Sequence, residues 1–137
     1  MKLDQANEMT LQELFDYAIV KLVEQGKQCS AATFCLYADG KGNHCGIGWL
    51  LDEDNSKLMA ARKTIRNLAS SEFDACIPIA ILHNLDAAED FQDLHDFSGI
   101  DEIDKLLLAL EDKGIDTNTN PAYQQWVDMT GKIKTGA

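Results

Sequence analysis

Leu11, Leu14, Phe15, Ala18, Ile19, Leu22 and Val23 recur at the three- and four-residue spacing of one helix face. Thr10 stands where an N-cap belongs, and Glu13 three residues later completes a capping box. Met9 and Leu14 are placed for a hydrophobic staple across that cap, and Gly26 is the left-handed stop. A face this wide has to be buried, so the rest of the chain must supply a core to receive it. With 137 residues and 45% apolar content, there is enough chain for one domain and enough apolar surface for its interior. The expectation is a single domain over residues 1–137, with an ordered core of about 9–115.

Two β-prone runs follow, Thr33-Phe34-Cys35-Leu36-Tyr37 and His44-Cys45-Gly46-Ile47-Gly48-Trp49-Leu50. Asp39-Gly40-Lys41-Gly42-Asn43 lies between them, and the combination predicts a β-hairpin with Cys35 opposite Cys45. In its second strand Gly46 and Gly48 share one face, which would let a helix or a ligand approach the backbone closely.

The remainder is helical in pattern. Asp54 or Asn55 opens a helix to about Ala69 with Leu58, Ala61, Ile65 and Leu68 inward. A turn at Ser70-Ser71 precedes a buried helical run from Ile77 to about Leu85. Asp86 and Glu89 form a second capping signal for a helix ending at Leu94 or His95. Ile100, Ile103, Leu106, Leu107 and Leu110 mark a further helix that Gly114 ends, and residues 121–133 form a terminal docking segment. The fold class expected is therefore α+β: an N-terminal amphipathic helix, a small hairpin, then three to four helices.

Charge limits the partners. Twelve Lys and Arg against 23 Asp and Glu give a net charge of −11, which disfavours direct binding of nucleic acid. Eleven of the acids and only two lysines fall between Asp86 and Asp116, so that segment carries nine of the eleven net charges. Elsewhere the chain is nearly balanced, with Lys57, Arg62, Lys63 and Arg66 as a small basic group. The acidic flank reads either as a solvated surface or as a docking face for a basic partner. Asp90, Asp93, Asp101 and Asp104 are its candidate contacts.

No candidate chemistry is strong. Cys35, His44 and Cys45, with Cys29 or His95, contain zinc-binding residue types, but His44 and Cys45 are neighbours that would point to opposite faces of a strand. No Cys-x-x-Cys pair occurs, and no cysteine-hydrolase signature surrounds any of the four thiols. His95 beside Asp96 is accounted for by the favourable interaction of His95 with a helix C-terminus. The glycine loop lacks the Gly-Lys-Ser/Thr of a phosphate-binding loop, although its backbone could meet a small anion. If a nucleotide binds, Tyr37, Lys41, Trp49, Arg62 and Arg66 are the residues with the stacking and charge for it. No catalytic residue, metal or cofactor is assigned.

The run Leu11–Asp16, Gln25-Gly26-Lys27-Gln28, Cys35-Leu36-Tyr37, Cys45-Gly46-Ile47-Gly48 and Leu94-His95-Asp96 resembles a family of small proteins of tailed bacteriophages and prophages. The likeness covers about Leu11 to Gly114, and the Cys-x-Tyr and Cys-x-x-Gly segments are its most specific part. It departs at Ala38, where a basic residue is usual, and at Asn43-His44, where a Leu-Lys pair is usual. The resemblance implies an accessory protein acting inside bacteria and brings no established activity with it.

The resulting expectation is a cytoplasmic, non-enzymatic binder that interferes with a host process such as antiviral defence. It would sequester a small nucleotide signal or block a host protein, with no membrane span. The alternatives are a small cysteine/histidine enzyme built around Cys45 or His95, and an acidic mimic of nucleic acid. Tyr123 and Trp126 are aromatic residues that a second copy could pack against.

Overall fold

The computed structural model describes residues 1–26, 37–38, 42–61, 63–96 and 100–134. Eight α-helices occur among them, and there is no strand. They are α1 (Leu3–Asn7), α2 (Leu11–Gln25), α3 (Ser56–Met59), α4 (Ile65–Ala69), α5 (Ile79–Leu82), α6 (Leu85–Asp96), α7 (Ile100–Asp112) and α8 (Ala122–Lys134). Short 3-10 turns form at Gly48–Leu50 and Asp74–Cys76.

The expected α+β class is thereby corrected to an all-helical one for the described residues. The first predicted strand lies outside them except for Tyr37. The second is a turn: Leu50 N–H bonds to Ile47 O at 2.9 Å, and Leu51 N–H to Gly48 O at 3.2 Å. Cys45 Sγ accepts the otherwise unpaired Gly48 N–H at 3.3 Å, as a capping side chain does. Two glycines in five residues weaken a strand, and here the backbone closes its hydrogen bonds locally.

The two glycines do permit close approach. A Cβ on Gly46 would lie 2.5 Å from Cε1 of Phe91 in α6, and one on Gly48 would lie 2.1 Å from the carbonyl oxygen of Tyr37. The first neighbour is a helix side chain, and the second is the chain's own backbone.

The long amphipathic helix forms as its sequence pattern requires. Thr10 Oγ1 accepts from Glu13 N–H, Glu13 Oε1 accepts from Thr10 N–H, and Gly26 closes the helix at φ +74°. Its Leu14, Phe15, Ala18, Ile19 and Leu22 are buried. The helix expected to run unbroken to Ala69 is two short ones. Asn55 caps α3, as read from sequence, and the Thr64 side chain caps α4 by accepting from Asn67 N–H. Ile79, expected inside, is 50% exposed, while Ile81 of the same short helix is buried.

α8 lies along α2, α6 packs on both α4 and α7, and α7 meets α8. At the centre the ring of Phe91 stacks on Phe15 at 4.3 Å between centroids and faces Trp126 at 6.1 Å. Three rings from α2, α6 and α8 thus form the spine of the core. Tyr123 and Trp126 are buried in it, at 2% and 1% exposure, and so do not present aromatic surface to a second copy. A buried polar group stitches the upper end: Gln92 Oε1 accepts Ile65 N–H at 3.0 Å, and Tyr37 OH donates to Lys63 O at 2.6 Å.

Candidate docking groove

α7 and α8 are in contact, and the polar connection 116–121 joins them. Gln12 of α2 secures this connection: it donates to Asp116 O at 2.9 Å and accepts Asp116 N–H at 2.6 Å. Two local bonds shape the loop. Asp116 Oδ1 accepts Asn118 N–H, and Asn120 Oδ1 accepts Ala122 N–H to start α8. Gly114, at φ +86°, makes the turn out of α7.

Between these parts lies a cavity of about 430 Å³. Its α7 wall carries Asp104, Leu107, Leu108 and Glu111, a helical stripe of positions i, i+3, i+4 and i+7. Val127 and Gln124 of α8 face it, and Asn118, Asn120 and Pro121 form the loop side. Leu108 is 60% exposed, the most exposed large apolar residue among those described. Glu111 Oε1 accepts from Thr117 Oγ1 at 2.5 Å, a neutral donor that leaves the carboxylate charge uncompensated. Asp104 is also exposed, and neither carboxylate pairs with a cation among the described residues.

Tyr123 lines the floor with its hydroxyl buried beside the Asp16 carboxylate, and Thr130 Oγ1 is buried with no hydrogen-bond partner among the described residues. Burial, and then the Asp16 carboxylate nearby, push the Tyr123 phenol well above its ordinary value, so it remains neutral.

The other acidic candidates are distributed unevenly. Asp90 pairs with Lys113 at 2.7 Å, which lowers its value as a free contact. Asp93 is exposed on α6. The side chain of Asp101 lies outside the described residues. Only Asp104 of the four lines the groove. Leu108, Glu111 and Val127 were missed by sequence reasoning, although a signal existed. Leu106 through Leu110 is an unbroken apolar run, more than one buried helix face accommodates.

The candidate nucleotide residues fare differently. The Tyr37 ring is fully buried, and its hydroxyl is spent on Lys63 O. Trp49 is half-buried: its indole N–H donates to Gln25 Oε1 at 3.0 Å, and the His44 ring meets its edge at 4.3 Å. Arg66 lines a second cavity of about 490 Å³ with His83, Asn84 and Lys113. There Arg66 pairs with Asp86 and Glu89, the two residues read from sequence as a capping signal. Carboxylates therefore already occupy the cations of that cavity. Lys41 and Arg62 lie outside the described residues.

Among the thiols, Cys29 and Cys35 also lie outside. Cys45 is fully buried against Gly48 N–H, and the neighbouring His44 turns its Nδ1 to Tyr37 O at 2.9 Å. Neither group is accessible to a substrate. No three metal-ligating side chains converge among the described residues, and no described helix is long and apolar enough to cross a membrane.

No protein-family profile matches the chain, and neither curated proteins nor solved structures provide a match to it.

Proposed function

We propose that this chain is a non-enzymatic binding protein that engages a host protein through its acidic flank, in the manner of a phage accessory protein that blocks a bacterial process. The observation that carries the reading is the exposed Leu108 between two carboxylates, Asp104 and Glu111, that have no cation partner among the described residues. An interface combines an apolar anchor with a charged rim, and Leu108 with Asp104 and Glu111 on the wall of one groove has that composition. The phage context rests on the resemblance of residues Leu11 to Gly114 alone.

The nucleotide alternative has less to stand on, because Tyr37 is enclosed and Arg66 is neutralised. The enzyme alternative, if built on Cys45, would require that thiol to leave the core, and the side chain of His95 lies outside the described residues. Nucleic-acid mimicry needs the carboxylates and gives no role to the groove.

The test is capture from bacterial lysate on immobilised protein at about 50 mM and about 500 mM salt, with screening as the variable. A specific partner retained at low salt, weakened at high salt and lost in the triple variant D90N/D93N/D104N is the expected result. Retention that ignores both salt and the triple variant would remove the acidic flank from the function.

A further inference from the structure

We infer that the groove between α7 and α8 receives an amphipathic helix of the partner protein, with basic residues seven apart bracketing an apolar pair. The inference rests on the proposed binding function and specifies the occupant. Asp104 and Glu111 are seven residues apart on α7, which places them about 10 Å apart along the helix axis. Leu107 and Leu108 occupy the turn between them, and Val127 faces them from α8.

The complement of that stripe is a helix laid along the groove with Lys or Arg at positions i and i+7 and apolar residues at i+3 and i+4. Its basic residues would reach the two unpaired carboxylates, and its apolar residues would cover Leu108. An extended chain fits less well. Its side chains on one face recur every 6.5 to 7 Å, roughly, so same-face pairs miss the carboxylate spacing. At about 430 Å³ the cavity lies in the lower range of ligand clefts, suited to anchoring side chains rather than a whole cofactor. The arrangement corresponds to the helix-in-groove mode, in which anchors at i, i+3, i+4 and i+7 carry recognition.

The loop side adds selectivity. Asn118 Nδ2 donates to Glu111 Oε1 at 3.4 Å, and Asn120 Oδ1 accepts Ala122 N–H at 3.0 Å. Thr117 holds Glu111 in place, so one carboxylate of the pair is pre-positioned before any partner arrives.

The test uses the full chain and three synthetic helical peptides read by fluorescence anisotropy. The first carries Lys at i and i+7 with Leu at i+3 and i+4, the second has both Lys changed to Glu, and the third has both Leu changed to Ser. The first is expected to bind, and the other two about tenfold or more weakly. In the protein, Leu108→Ser and the pair Asp104→Asn with Glu111→Gln are each expected to weaken the first peptide about tenfold, with thermal midpoints unchanged at these exposed sites. Glu111→Gln retains an acceptor for Thr117, so the loop keeps its shape.

Equal binding of all three peptides, or none by the first, overturns the proposal. So does concentration-dependent dimerisation of the chain that Leu108→Ser abolishes, since a second copy would then be the occupant. If partner capture from lysate is lost in the Asp90, Asp93 and Asp104 variant but survives Leu108→Ser, the acidic flank stands and the groove fails.

Discussion

Gln25 grips His44 by both of its main-chain polar groups: Oε1 accepts His44 N–H at 2.8 Å, and Nε2 donates to the His44 carbonyl at 3.0 Å. The same Oε1 accepts the indole N–H of Trp49. One side chain at the last turn of α2 thus provides the pairing that an adjacent strand would have offered. The segment 43–50 is held beside α2 without any sheet.

Replacing Gln25 by Leu keeps most of its volume and removes all three bonds in a partly buried place. The expected cost is about 2–3 kcal/mol, from net values near 1 kcal/mol for each bond. Urea unfolding measures it, and the emission of Trp49 should shift as its indole N–H loses a partner. A midpoint equal to that of the parent protein would show that the clamp contributes nothing.

The two tight glycines should behave unlike a merely left-handed one. Gly48→Ala places a methyl 2.1 Å from a backbone oxygen, which must move, and is expected to destabilise by about 3 kcal/mol or more. Gly42, at φ +89° with open space around it, should lose only about 1–2 kcal/mol on the same change. Thermal melts of the two variants decide the order; the reverse ranking would contradict the packing described for Gly48.

Gly46 and Phe91 should couple. Gly46→Ala alone collides with the Phe91 ring, and Phe91→Leu alone disrupts the ring stack with Phe15. Together the smaller side chain makes room for the added methyl. The double variant is expected to be more stable than the sum of the singles by about 1 kcal/mol. Strict additivity in denaturant titrations would argue against that contact.

Tyr123 makes the alkaline limb of stability testable. Its phenol is raised in the folded state, so the folded form holds the proton more tightly than the unfolded chain does. Its contribution is complete below the ordinary phenol value near 10 and is lost as pH climbs above it toward the folded value. Tyr123→Phe should flatten the decline seen above about pH 10. An undiminished decline in the variant would show that Tyr123 does not carry it.

What the residues disclose in advance depends on how local each element is. α2 was readable because its cap, apolar face and stop signal lie within seventeen consecutive residues, Thr10 to Gly26. Asn55 was readable as a cap for the same reason. The second strand of the expected hairpin was misread because β-prone residues around glycines can also close their bonds locally; Gln25 and Cys45 satisfy the backbone of His44 and Gly48 there. The break before α4 was missed although Thr64 carried a cap signal, because the apolar spacing continues across it. α1, only five residues long, has no side-chain cap to announce it.

The acidic flank was legible as a count of charges. Its groove was not, because Leu108 and Val127 are brought together by a loop that Gln12 holds from 104 residues away. Asp86 and Glu89 show the same limit. As sequence they resemble a cap, but in the fold they clasp Arg66.

That distance of 104 residues between Gln12 and Asp116 also sets a timetable for the newborn chain. α2 leaves the ribosome well before α8, the helix that packs along it. At about 5–20 residues per second of synthesis the interval is roughly 5–20 s. Segment 43–50 and Phe91 reach α2 sooner, but the face of α2 that α8 covers stays open until the last helix is made.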